Sequence, residues 1–302
     1  AQDKKTIINR ITRLFSMAYQ SGFSIQFALE GFSEIGPNVD FGLDLCRAAI
    51  DAGASVITCP DTIGSASHWQ GKHYFVNIMN QFASQLKSEF PKHDILWSAH
   101  CHSDLGLALE NTLQSVFNGP ARQIEGCING VGERAGNVAI EQCIMALKKF
   151  GSSAEKKLDF TTKTRPSYLK VISDFVADNM LIRQPHQPIV GDNIARHSSG
   201  GHTSALLNNP NVYNTFSPNE VGQTMRLTFG PFSGSNHMQA VLQSKGFFCH
   251  TKDKVALTQL IKNKHGDAEK HIDDEEIIST HHEFYAPIQC KSISYKSAKK
   301  TI

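Results

Sequence analysis

The sequence predicts an α/β fold in which short parallel strands alternate with helices. Within residues 1–150, four short apolar stretches each precede a helical pattern, and each stretch leads into polar side chains. Repeated βα units of this kind form either a doubly wound sheet or a (β/α)8 barrel. No GxGxxG glycine pattern follows these stretches, which disfavours a dinucleotide-binding sheet. Polar groups at strand ends favour a barrel, because reactive side chains collect at the carboxyl ends of barrel strands.

Apolar residues at helical spacing predict five helices in this part of the chain. Each helix stops at a glycine or shortly before a proline, as helices commonly do. The predicted helices lie at about residues 7–21, 39–52, 75–90, 109–117 and 140–150, and the stop signals are Gly22, Gly53, Pro91, Asn118 and Gly151.

Four apolar stretches between the helices predict the strands. They are SIQFALE (24–30), SVITCP (55–60), ILWSAHC (95–101) and RQIEGCI (122–128). Their alternation of apolar and polar residues is only partial, which is typical of a parallel sheet buried on both faces. A complete barrel has eight strands, so these stretches account for half of one.

Chemically capable side chains stand at the end of every predicted strand. They are Glu30 after the first, Asp61 and Thr62 after the second, His100, His102 and Asp104 at the third, and Glu125, Asn129, Glu133 and Asn137 at or after the fourth. We expect them to meet at one edge of the sheet, because parallel strands end on the same side.

The composition changes after residue 150. Residues 151–165 predict a polar linker, residues 166–285 predict mainly helical subdomains, and residues 286–302 predict a solvated basic tail. A loop rich in Gly, Pro and Ser at 182–204 contains three histidines and is a candidate functional loop.

Charge and cysteine content exclude several classes of function. The net charge of +2 is too small to indicate nucleic-acid or anionic-membrane binding. No apolar run reaches the ~18 residues that span a bilayer, and the first residues lack the apolar segment of a secretory signal. Seven cysteines without a CxxC pair predict reduced thiols and a cytoplasmic location.

The stretch SAHCHSDLG (98–106) carries the most specific chemistry. Residues i and i+2 of a strand point to the same side, so His100 and His102 can offer two imidazoles to one ion. Two imidazoles with oxygen ligands suit Mn, Fe, Co or Zn, and a set richer in oxygen accepts Mg. The alternative is a pair of histidines held by ordinary hydrogen bonds. Asn137 is either the N-cap of the following helix or a further ligand.

The segment HCHSDLGLALENTLQSVFNGPARQIEGCINGVGERAGN (100–137) resembles the signature of the 2-isopropylmalate synthases, which are metal-dependent barrel enzymes of the aldol and Claisen type. The resemblance continues in GASVITCPDTIG (53–64), SSGGHTSALL (198–207), PNVYNTFSPNEVG (210–222) and GPFSGSNH (230–237), and it covers about residues 1–240. It implies the C-terminal half of a (β/α)8 TIM barrel, with about the fifth to eighth strands, followed by mainly helical linker subdomains.

The resemblance implies a condensation of acetyl-CoA with 2-oxoisovalerate, followed by thioester hydrolysis, in leucine biosynthesis. A divalent metal (Mn, Mg or Zn) would be bound by His100, His102 and Asn137, with an aspartate from the first barrel strand. Thr62 and Asn129 would bind substrate. His202, Tyr213 and Glu133 would be catalytic, and His202 and Tyr213 would reach the active site of the partner in a homodimer.

Three departures from the family pattern accompany the resemblance. Ser103 stands where the family usually has Asn, and Thr203-Ser204 stand where it often has Gln-Asp. The Arg-Asp-Gly-type motif of the first family strand does not occur in the 302 residues. We therefore expect the sequence to begin just before the family's fifth strand, without one metal ligand and an arginine.

Three alternatives remain open at this point. A related homocitrate or citramalate-type synthase would use another oxo acid, and a related lyase is disfavoured by the subdomain with His202 and Tyr213. A truncated, inactive chain would act only by associating with other subunits. An unrelated barrel hydrolase with an HxH motif is disfavoured, because it normally needs ligands on several later strands.

Overall fold

A computed structural model describes residues 3–153, 158–160, 162–180, 183–266 and 271–286 of the chain. These residues form two compact units. The first comprises the residues up to 194 together with 219–223, and the second comprises 195–218 and the residues from 224 onward. Most of the predicted basic tail lies outside the described residues, and the predicted domain boundaries remain predictions.

The first unit alternates helices and strands as the sequence predicts. Its elements are α1 (Lys4–Gln20), β1 (Ile25–Ala28), α2 (Val39–Asp51), β2 (Ala54–Asp61), α3 (Phe75–Glu89), β3 (Leu96–Cys101), α4 (Ala108–Phe117), β4 (Ala121–Glu125), α5 (Ile140–Phe150), the short pair β5 (Ser152–Ser153) and β6 (Leu158–Asp159), and α6 (Leu169–Met180). Gly22 and Gly53 follow α1 and α2 with φ of 85° and 104°, a conformation that favours glycine at helix ends.

Strands β1 to β4 form one parallel sheet in the order β1-β2-β3-β4. The register places His100 of β3 between Pro60 of β2 and Glu125 of β4. Since each strand is followed by a helix, the arrangement confirms the predicted α/β class with its repeated βα units.

The two faces of the sheet differ in chemistry. One face carries side chains such as Ile57, Cys59 and Ala99, all fully buried in the apolar core under the helices. The other face carries polar side chains, including Thr58 and Ser98, which are also buried. Because successive residues of a strand point to opposite sides, the predicted ligands share this second, polar face.

The second unit is mainly helical. It contains β7 (Arg196–His197), α7 (Gly200–Asn208), β8 (Arg226–Leu227), α8 (Ser235–Ser244), α9 (Lys254–His265) and α10 (Asp274–Tyr285). Helices α8, α9 and α10 bury a core that includes Met238, Leu242, Leu257, Ile261 and Ile277. The sequence predicts a helical segment over about 236–282, and the structure divides it into these three helices. In the described parts of both units, no helix is long and apolar enough to cross a membrane.

Candidate metal and substrate site

His100 and His102 lie where β3 ends, on the polar face of the sheet. Their rings are edge to face with centroids 5.1 Å apart, so the two imidazoles lie side by side. His102 also forms an isolated antiparallel bridge with Asn137, which brings the loop after β4 to the end of β3. The structure thus brings all three predicted metal ligands to one place.

Each of these three side chains has a buried polar atom without a hydrogen-bond partner. The atoms are His100 Nδ1, His102 Nδ1 and Asn137 Oδ1. An unpaired buried polar atom costs about 1–3 kcal/mol, so Asn137 Oδ1 and His102 Nδ1 indicate a missing partner, whereas His100 Nδ1 lies 3.7 Å from Glu125 Oε2. Two imidazoles and an amide oxygen are donors that bind Mn, Zn and related ions. The residues present therefore fit a divalent cation.

The electrostatics of His102 agree with this fit. Burial, with smaller effects from neighbouring His100 and Arg134, lowers the pKa of His102 below its ordinary value. A lowered pKa keeps the imidazole neutral, which is the form that binds metals. Within the described ranges, no three or more His, Cys, Asp or Glu side chains form a metal-binding group. The candidate ligand set differs from such a group because its third member, Asn137, offers an amide oxygen.

Asn137 is not the N-cap of α5, which corrects one of the two sequence interpretations. The helix begins at Ile140 and the residue before it is Ala139. The Asn137 side chain instead donates from Nδ2 to the Val131 carbonyl at 3.0 Å and to Cys127 Sγ at 3.4 Å. These bonds leave Oδ1 without a hydrogen-bond donor in the protein. An oxygen that binds a metal ion would have such surroundings.

Three glycines shape the loop that presents Asn137. Gly130 and Gly136 have φ of 67° and 88°, and a Cβ on Gly136 would lie 2.1 Å from the Gly130 carbonyl oxygen. A Cβ on Gly132 would lie 2.3 Å from Asn137 Nδ2. Only glycine fits these close approaches, which explains the spacing GVGERAG in the sequence.

Arg134 connects three loops at the rim of the site. Its Nε and Nη2 donate to the two carboxylate oxygens of Asp104 at 2.9 and 3.1 Å, and Nη2 donates to the Thr62 carbonyl at 2.7 Å. Arg134 thereby lowers the pKa of Asp104 below its ordinary value. Glu133 lies 3.8 Å from the same guanidinium, and its side chain is 84% exposed. The bonds to Asp104 and Thr62 make Arg134 a support for the loops around the site.

The two predicted substrate-binding residues have different surroundings. Thr62 is half-buried, and its hydroxyl donates to Glu30 Oε2 at 3.0 Å and accepts from the Gly31 backbone N–H at 2.8 Å. Asn129 is 6% exposed, and its Nδ2 donates to the Ser173 carbonyl at 2.9 Å. A substrate contact by Asn129 would have to replace its bond to Ser173 of α6, whereas Thr62 lies on the rim, where its carbonyl accepts from Arg134.

Two carboxylates at strand ends prove to be hydrogen-bond centres that the sequence does not reveal. Asp61 is fully buried and accepts bonds from the backbone of the loop after β2. Glu125 accepts bonds from side chains of β1, β2 and β3. From the sequence alone these two carboxylates cannot be distinguished from residues that contact a ligand, because only the folded sheet shows which donors surround them.

His202 and Tyr213, the predicted catalytic pair, meet in the second unit. Their rings are stacked with centroids 3.9 Å apart and an interplanar angle of 17°. His197 lies next to His202, with ring centroids 5.8 Å apart, and its Nε2 is 3.2 Å from Asn214 Oδ1. Tyr213 is 58% exposed and has a φ of 57°, so the loop presents the phenol outward. The pair and the histidines of β3 belong to different units, and their roles remain predictions.

Comparisons with known proteins identify the family. Residues 1–169 match the HMGL-like family, and residues 189–270 match the family described as homocitrate synthase post-HMGL domain-like. The chain is 33% identical to the 2-isopropylmalate synthase of Saccharolobus solfataricus, over 86% of this chain and 63% of that protein. It is 33% identical to the one of Staphylococcus carnosus, over 91% of this chain and 51% of that protein.

A third relative is the 2-isopropylmalate synthase of Neisseria meningitidis serogroup B, at 32% identity over 90% of this chain and 50% of that protein. The chain thus spans between 50% and 63% of the length of these relatives. The matches confirm the resemblance found in the sequence, and with the parallel sheet they confirm a partial TIM barrel followed by a helical region. The chain belongs to the HMGL-like family of barrel enzymes.

Proposed function

We propose that the chain is part of a 2-isopropylmalate synthase-type acyltransferase. In this proposal the enzyme condenses acetyl-CoA with 2-oxoisovalerate and then hydrolyses the thioester, as the committed step of leucine biosynthesis. The named relatives are synthases of this type, which supports the reaction class. The observation that carries the proposal is the convergence of His100, His102 and Asn137 at the end of β3, where Asn137 Oδ1 has no donor in the protein.

The three side chains would hold a divalent metal ion. When bound, such an ion acts as a Lewis acid on the ketone of the oxo acid. Thr62, with its hydroxyl on the rim, binds the substrate carboxylate in this proposal. Asn129 also binds substrate, in place of its bond to the Ser173 carbonyl. Glu133 is assigned a catalytic role, for which its exposed carboxylate has room to contact substrate.

His202 and Tyr213 would carry the proton transfers. A neutral imidazole nitrogen can accept a proton, so His202 is suited to remove one from the acetyl methyl group. Tyr213 is stacked on His202 and would donate a hydrogen bond or a proton. We propose that these two residues act in the active site of the partner subunit of a homodimer, as the family resemblance implies.

A second candidate is a related homocitrate or citramalate-type synthase. The match of residues 189–270 to the homocitrate synthase post-HMGL domain-like family favours keeping it. The two candidates share the metal chemistry and differ in the oxo acid, so a panel of oxo acids separates them.

The test is release of free thiol from acetyl-CoA by the purified chain with Mn²⁺, Mg²⁺ or Zn²⁺ and a panel of 2-oxo acids. We expect thiol release with 2-oxoisovalerate from a version of the chain extended at its N-terminus to include the family's Arg-Asp-Gly-type strand, and its loss in His202→Gln, which retains the metal ligands. Preference for another oxo acid would support the second candidate. Metal binding without thiol release from any oxo acid would contradict both candidates for this chain acting alone, and would favour a role in subunit association.

A further inference from the structure

Glu125 lies beside His100, one of the proposed metal ligands. It is the last residue of β4 and stands opposite His100 in the register of β3 and β4. Its Oε1 accepts hydrogen bonds from Gln26 Nε2 at 2.6 Å, from Thr58 Oγ1 at 2.8 Å and from Ser98 Oγ at 2.6 Å. One donor comes from each of the other three strands, so the whole sheet fixes the orientation of this carboxylate.

The second carboxylate oxygen is directed at His100. Glu125 Oε2 lies 3.7 Å from His100 Nδ1, and the two side chains are 29% and 27% exposed. His100 Nδ1 is buried and has no hydrogen-bond partner. A histidine that binds a metal through one nitrogen usually donates the other N–H to a carboxylate or carbonyl, which sets both the tautomer and the ring orientation. At 3.7 Å the two atoms are farther apart than in a hydrogen bond, and a small approach of the two side chains would let Glu125 accept that N–H.

We propose that Glu125 is a positioning residue whose Oε2 accepts the Nδ1–H of His100 and thereby keeps the Nε2 lone pair available for a divalent ion. This inference rests on the proposed metal site and deepens it. The donors on Oε1 together hold Oε2 toward the imidazole, and two of them remain when a third is removed. Glutamine at position 125 would present its amide N–H₂ to Nδ1 instead, and the imidazole proton would then move to Nε2.

The variant Glu125→Gln tests this, since it preserves side-chain size and the acceptor for Thr58 and Ser98. The metal-free chain with ¹⁵N-labelled histidine is studied by long-range ¹H–¹⁵N correlation at alkaline pH, where imidazoles are neutral. Signals of His100 are assigned by their loss in His100→Gln. We expect the proton on Nδ1 in the wild type and on Nε2 in Glu125→Gln. A wild-type proton on Nε2, or the same tautomer in both proteins, would overturn the proposal.

Metal affinity provides a second readout. Titration with Mn²⁺ should show affinity about 10–100-fold weaker in Glu125→Gln than in the wild type, as for other residues that orient a metal-binding histidine. The matched control is Ser98→Ala, which removes one donor to Oε1 and leaves Oε2 in place. We expect this control to retain both the wild-type tautomer and the wild-type affinity. Equal losses in both variants would assign the effect to packing of the network and overturn the role of the Glu125 carboxylate.

The two readouts separate this inference from the proposed function. A wild-type chain that binds no Mn²⁺ would contradict the metal site and the condensation that depends on it. The tautomer of His100, measured without metal, still decides whether Glu125 sets the imidazole proton.

Discussion

Asp61 provides the sharpest test of how the site loops are held. It ends β2 and is fully buried, and four groups donate to its carboxylate. Oδ1 accepts from Ser33 Oγ at 2.9 Å and from the Ser65 and Ala66 backbone N–H at 3.1 and 3.2 Å. Oδ2 accepts from Asn111 Nδ2 at 3.3 Å and from Ala66 at 3.2 Å. Asp61 therefore stabilises the loop that leads away from the site.

The variant Asp61→Asn retains the shape of this side chain and removes one acceptor. The oxygen of the new asparagine takes the Oδ1 position, so its amide nitrogen faces the Asn111 amide. Two donors then meet, and one hydrogen bond to a charged acceptor is lost. A bond of that kind contributes about 1.5–3 kcal/mol. We predict that the free energy of unfolding falls by about 2–3 kcal/mol, which leaves a protein of ordinary stability folded.

The assay is urea unfolding of the wild type and the variant, followed by tryptophan fluorescence. Trp97 in β3 is 6% exposed and reports on the sheet that contains Asp61. The control is Asp44→Asn, which removes an exposed ion pair with Arg47 and should change the free energy by about 0.5 kcal/mol or less. If Asp61→Asn unfolded like the wild type but lost Mn²⁺ binding, Asp61 would be a metal ligand and the reasoning would be refuted.

Two further predictions concern the loop after β4. Burial raises the pKa of Glu141, which accepts from the Asn129 backbone N–H, so its stabilising contribution is greatest at acid pH and falls as pH rises. In urea unfolding between about pH 4 and about pH 7, the free energy of unfolding of the wild type should therefore fall relative to that of Glu141→Gln as the pH rises. A difference in free energy that stays the same across this range would contradict the prediction. Gly136→Ala should cost roughly 1–3 kcal/mol in the same assay, because its Cβ meets the Gly130 carbonyl, whereas Gly201→Ala has open space and should change little.

Most of the fold can be predicted from the sequence because helix stop signals and apolar spacing act locally. Predicted strand ends are less accurate. The stretch 24–30 predicts a strand, whereas β1 covers only Ile25–Ala28. The chain leaves the sheet because Gly31 adopts a φ of 72° and a 3₁₀ turn begins at Phe32. Such a turn depends on the packing of Phe32 in the core, which local patterns do not show.

The sequence predicts those parts of the candidate site that depend on local spacing or belong to a family motif. The spacing of His100 and His102 places both rings on one face, and the structure brings Asn137 to them. The hydrogen-bond networks of Asp61 and Glu125 could not be predicted in the same way. Their partners lie on other strands and loops, up to 99 positions away in the case of Glu125, and only the register of the folded sheet brings them together.

The most direct test of the metal site is pulsed EPR of Mn²⁺ bound to the chain, with and without ¹⁵N-labelled histidine. We predict couplings from two histidine nitrogens in the wild type and from one in His102→Gln. Bound Mn²⁺ without any histidine nitrogen coupling, or a spectrum that His102→Gln leaves unchanged, would contradict the assignment of His100 and His102 as ligands.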